Sequence, residues 1–136
     1  RLVSSAASDV YKRQVLGTLF ANYIFGLNVI EFSSNIRSGA NIYISEIFAA
    51  TGLLLVILLS RADGKNVVSF NVGIYITAAL IFTSSTSFAN PAVTIARMFT
   101  ESFTGINPST VIFFISCQVI GMFAAYILYN QFFKSK

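Results

Sequence analysis

The sequence predicts an all-α membrane protein, and three observations carry that prediction. Apolar residues make up 55% of the 136 residues and charged ones only 10%, against about 25% charged in soluble domains. The apolar residues gather in long runs separated by short polar turns. One run opens on Asn90-Pro91, a helix start, but is too short to cross a bilayer, which takes about 20 residues. Lipid is then the solvent for much of the chain, and only helices satisfy their own backbone there.

Taken in order, residues 1–14 (RLVSSAASDVYKRQ) are polar and lack an apolar helical period. They have no apolar core of the kind a secretory signal needs. The string from Ser4 to Gln14 resembles the in-frame translation of a transposon-end adapter used in sequencing libraries. We treat 1–14 as non-native, with a native cytosolic tail as the alternative; the native protein would then continue upstream of Val15. Residues 15–30 read as the end of a truncated membrane helix. Residues 31–41 form a polar loop. Residues 42–60 are a span containing one acid, Glu46, and 61–66 (RADGKN) are a tight charged turn. Residues 67–84 are the next span. Small polar residues 85–89 lead into a half-length helix over 90–99. A loop follows to Ser109, then a last span over 110–133.

Lysine and arginine placement sets orientation. Arg61, Lys65, Lys134 and Lys136 lie in the 61–66 turn and the tail, which share a side if the 90–99 helix dips in and returns. Arg37 is the basic residue of the loops on the other side. The turn and the C-terminus are therefore expected in the cytoplasm.

Proline is favoured in the first helical turn, where its missing N–H is no loss, and asparagine is a good N-cap. A broken helix at membrane depth is tolerated only where it is buried in protein or lines a water-filled cavity. Its N-terminus carries partial positive charge, which disfavours cations. The Asn90 amide offers a donor, and an extended Thr86-Ser87-Phe88-Ala89 would offer carbonyl acceptors ahead of it. That combination suits a pore for small neutral hydroxylated solutes. An acid within a span is costly and is a functional candidate by default, which singles out Glu46. Gly17 and Gly121 read as close helix contacts, and the Phe113-Phe114 pair as lipid-facing or interfacial.

Asn90-Pro91-Ala92, placed after two spans, opening a half-helix and preceding a last span, resembles the aquaporin (major intrinsic protein) family. The likeness runs from about Val15 to Phe133, and SFANPAVTIAR is most similar to bacterial members found with arsenic-resistance genes. The resemblance implies the C-terminal repeat of the aquaporin fold: three full transmembrane helices, one truncated helix and one re-entrant half-helix. It implies a missing N-terminal half carrying a partner motif, a homotetramer when complete, and a bacterial plasma (inner) membrane. It also implies that Glu46 accepts hydrogen bonds from loop N–H groups and holds the pore carbonyls in line; a snorkelling acid is the alternative. By itself the chain is not expected to conduct.

Most of the family has arginine directly after this motif, and here Val93 stands in its place. A wider, more apolar constriction is expected. Arg97 lies four residues on, about 40° around the helix, and either supplies a positive charge at the mouth or pairs with Glu101. The facing position falls near Thr77 to Leu80, where Ala78 or Ala79 leaves room. Water, glycerol-like polyols and undissociated arsenite or antimonite are the expected solutes. A non-transporting membrane assembly subunit is the competing reading. An enzyme is not expected: with no histidine and the single Cys117, no metal cluster forms and no acid–base set is visible. The net charge of +4 is scattered, so nucleic acid is not an expected partner. No cofactor is expected; lipid and small neutral solutes are the expected partners.

Overall fold

The structure, a computed structural model, describes residues 2–62 and 67–133, and across them it is helical, with no strand. Five α-helices follow in order: α1 (Leu2–Ile24), α2 (Ala40–Ala62), α3 (Val68–Phe82), α4 (Pro91–Ala96) and α5 (Pro108–Phe132), with a 3-10 turn over Arg97–Phe99. The chain divides into two compact units, one from Arg1–Ser38 and Asn90–Ile115, the other from Gly39–Ala89 and Ser116–Lys136. It passes from the second to the first at the Ala89–Asn90 peptide.

In the first unit, α1 also covers residues 2–14, which lack an apolar helical period. A helix needs no apolar period to form, and Ala, Lys, Arg, Gln and Leu favour it. The helix ends at Ile24, not at residue 30. Gly26, at φ +68°, supplies the left-handed residue of a Schellman cap. The Leu27 N–H donates to Asn22 O at 2.9 Å and the Gly26 N–H to Tyr23 O at 3.2 Å. Gly17 meets nothing within 4 Å and is no helix contact. The half-helix expected over 90–99 is one short α-helix followed by a 3-10 turn.

In the second unit, α2 extends past both ends of the expected 42–60 and takes in Arg61. Residues 63–66 of the charged turn, including Lys65, lie outside the described residues, as do Lys134 and Lys136. Both α2 and α5 are long and apolar enough to cross a membrane, at a mean hydropathy of 2.3. The expected full span 67–84 is instead the 15-residue α3, about 22 Å long at 1.5 Å per residue. Its end is set by Thr83, in extended geometry, whose hydroxyl donates to Ala79 O at 2.6 Å. Such side-chain bonds compete with the helical ladder. Gly121 is a true close contact: a Cβ there would lie 2.5 Å from Ile47 O and 2.9 Å from Ala50 Cβ. The start of α5, which belongs to the first unit as far as Ile115, falls at Pro108, two residues before expectation. Asn107 caps it, its Oδ1 accepting from the Ser109 N–H at 3.0 Å, which repeats the Asn-Pro device of residues 90–91. Of the phenylalanine pair expected at the lipid, Phe113 is exposed, but Phe114 is fully buried.

Candidate functional site

In the first unit, Asn90 sits in extended geometry and caps α4, its Oδ1 accepting from the Ala92 N–H at 2.8 Å. Pro91 takes the first helical position. The Thr94 N–H and hydroxyl both donate to Asn90 O, at 3.0 and 3.1 Å. With Oδ1 turned into the cap, the Nδ2 amide is the group that Asn90 has left to donate. Ala92, Thr94 and Ala96 are buried, whereas Pro91, Val93 and Arg97 are half-buried. Val93 and Arg97 are one turn apart and share a face. Only Arg97 lines the cavity of about 650 Å³ in this unit, together with Gly17, Thr18, Asn22, Thr100 and Phe103.

The segment after α4 is stitched to the loop 31–38. The Ser33 N–H donates to Met98 O at 2.9 Å and the Asn107 N–H to Asn35 O at 2.7 Å. Asn22, 2% exposed on α1, donates to Phe99 O at 2.8 Å and Val29 O at 3.2 Å. The Phe32 and Phe99 rings lie 5.3 Å apart. Glu101 accepts from the N–H and hydroxyl of Ser34. Those bonds from the Ser34 hydroxyl and N–H hold its pKa below the usual carboxylate value. Arg37, expected only as a marker of topology, is 9% exposed. Its Nε donates to Gly105 O at 2.8 Å and its Nη2 to Phe103 O at 2.7 Å.

In the second unit, Glu46 on α2 is fully buried. Its Oε1 accepts from the Ala89 N–H at 2.6 Å and from Gln118 Nε2 at 2.7 Å. Sequence reasoning passed over Gln118; the signal was there, a polar residue in an apolar run, the same signal that marked Glu46. The lead-in is not the extended strip expected. Thr86, Ser87 and Ala89 have φ of 60°, 45° and 49°, a left-handed region costing about 1–2 kcal/mol per non-glycine residue. Side-chain bonds hold that path: the Ser85 N–H donates to Ser45 Oγ and the Ser87 N–H to Ser85 Oγ, each at 3.3 Å. Ser87, Phe88 and Ala89 are buried and Thr86 half-buried. The hydroxyls of Thr86 and Ser87 and Glu46 Oε2 are buried with no hydrogen-bond partner. On α3, Ala79 is fully buried while Ala78 lies on an open face beside Gly73 and Thr77.

The structure therefore brings Glu46, Ala89 and Gln118 together in one unit, and Asn90, Pro91, Ala92 and Thr94 together in the other. Ala78 stands apart from the Glu46 cluster, on the outer face of α3.

No protein-family model and no solved structure matches the chain. It is 41% identical over 114 residues to the aquaglyceroporin AqpS of Rhizobium meliloti (strain 1021), a match covering 84% of this chain and 49% of that protein. The chain thus spans about half the length of the curated relative it matches.

Proposed function

Because the chain belongs to the aquaporin (major intrinsic protein) family, we propose that it forms the C-terminal half of a passive transmembrane channel for small neutral solutes. One observation carries this reading. A six-residue helix capped by Asn90 follows directly on Ala89, whose N–H is held by the buried Glu46. The helix N-terminus and the Asn90 amide offer donors to a passing oxygen and repel cations. Thr86 to Ala89 supply the carbonyls, and Glu46 anchors them through the backbone. Solutes move down their own gradient, with no nucleotide and no covalent step.

Val93 in the place after the motif leaves the constriction wide and apolar, with Arg97 at the mouth. Glycerol-like polyols and undissociated arsenite or antimonite then pass as well as water. The relative's name, aquaglyceroporin, agrees with passage beyond water. The complete protein pairs this half with an N-terminal half, assembles as a homotetramer in the bacterial inner membrane, and keeps its C-terminus in the cytoplasm. This half alone does not conduct.

The test is osmotic swelling and arsenite uptake in proteoliposomes of the full-length protein. Polyol and arsenite permeation is expected. Water permeation with both larger solutes excluded overturns the wide-pore reading. A Val93→Arg substitution should cut polyol uptake by about tenfold or more while sparing water, since a steric and charged block of over 1.4 kcal/mol is a factor of ten. Unchanged polyol uptake would remove Val93 from the constriction.

A further inference from the structure

We propose that Arg37 is a positioning residue for Arg97, and that through Arg97 it sets how the channel separates charged from neutral solutes. The selectivity half of this inference rests on the channel reading above; the positioning half does not.

The link is a single peptide group. The carbonyl of Gly105 accepts from Arg37 Nε at 2.8 Å. The N–H on the other edge of that same peptide, that of Ile106, donates to the Arg97 carbonyl at 3.2 Å. A trans peptide is planar and stiff, with its C=O and N–H pointing in opposite directions. Arg37, the 105–106 peptide and the Arg97 backbone therefore form a line in which moving one end moves the other. The second prong of the guanidinium, on Phe103 O at 2.7 Å, fixes the approach of the same loop. Phe103 and Arg97 both line the cavity of this unit.

Three further observations make the line rigid. Arg37 is 9% exposed, so its grip is shielded from competing water. A Cβ at Gly105 would strike the Thr100 carbonyl and Ser33 Oγ, so the loop has no room to shift there. The Met98 carbonyl, one residue past Arg97, is held by the Ser33 N–H at 2.9 Å. The planar guanidinium holds the two carbonyls in fixed directions, whereas the lysine ammonium is a compact charge with rotatable donors and sets no such geometry. The placement of Arg97 thus depends on a side chain sixty residues earlier in the chain.

The experiment uses the full-length protein in two independent readouts. In liposomes, the ratio of potassium leak to polyol uptake is measured for R37Q, R97Q, the double variant and R37K. Loss of a charge-assisted hydrogen bond corresponds to about a tenfold change, so R37Q is expected to raise the ratio about tenfold. R37K should fall between R37Q and the parent. The double variant should match R97Q alone, because residues acting through one another are not additive. Additive effects, or an unchanged ratio in R37Q, overturn the proposal. The second readout needs no transport. In a C117S background, Arg97→Cys is labelled with a water-soluble maleimide, with and without R37Q. A severalfold change in rate is expected, with helicity by circular dichroism unchanged in both; equal rates overturn the positioning role. An intact labelling effect in a protein that passes no polyol would instead sink the channel reading and leave the positioning in place.

Discussion

Among the described residues, two charged side chains are buried, Glu46 and Arg37, and they are mirror images in chemistry. Glu46, in the second unit, holds N–H donors: the Ala89 backbone and the Gln118 amide. Arg37, in the first unit, holds carbonyl acceptors of Phe103 and Gly105. In sequence, one pins the segment before the half-helix and the other pins the segment after it. The difference lies in what each leaves behind when removed. A buried N–H with no acceptor is rarely tolerated, whereas a carbonyl has two lone pairs and is more forgiving. The carbonyls of Phe103 and Gly105 are backbone acceptors of Arg37, and the two N–H groups bonded to Glu46 converge on a single oxygen. The acid is therefore the less replaceable of the two.

That ranking can be broken by measurement. The largest effect is expected for Glu46→Ala, which orphans two donors at about 1–3 kcal/mol each, so about 3 kcal/mol of stability should be lost in denaturant titrations in detergent. Glu46→Gln, which keeps an acceptor oxygen, should lose about 1 kcal/mol. Arg37→Ala comes next, at about 2 kcal/mol; a loss equal to or above that of Glu46→Ala would reverse the comparison. Asn90→Ala, which removes one cap and touches neither anchor, should cost about 1 kcal/mol.

The smallest effect concerns Glu101, the exposed acid that ties Ser34 to the far side of the Arg37 loop. Its pKa is lowered in the folded chain by the Ser34 hydroxyl and N–H. The unfolded chain thus binds the proton at higher pH than the folded one. The contribution is fully present above the ordinary carboxylate pKa and is lost as pH falls through the lowered value. A stability profile for Glu101→Gln should be flatter than the parent's below that ordinary value. Profiles that superimpose would show that Ser34 adds nothing to the Arg37 side of the comparison.

These residues also show what was legible beforehand. Glu46 stood out because charge within an apolar run is rare for a physical reason, its solvation cost. Gln118 carried the same signal more faintly, as a neutral group in α5. Arg37 carried none: in a polar loop an arginine looks like solvent-facing charge, and only the folded path of 97–107 closes around it. The helix start at Asn90-Pro91 was legible from local chemistry. The same pair at Asn107-Pro108 was hidden by its polar neighbours and read as loop. Gly26 was masked in the opposite way, by the apolar residues after it. The left-handed turn of Thr86, Ser87 and Ala89 was not legible, because none of these residues prefers it. Contacts distant in sequence, from Ser45 and Glu46, impose it.

The Glu46–Ala89 contact has one more consequence. One partner is a side chain and the other is main chain, so the bond constrains the two positions unequally. As far as this bond is concerned, any residue but proline can stand at 89, since every other one brings the same N–H. With φ at 49° there, glycine or asparagine would sit more easily than alanine. Position 46 has no such latitude. Across a set of homologues the glutamate should hold while its neighbour in space drifts, so covariation between the two columns would be silent about a contact on which the loop depends.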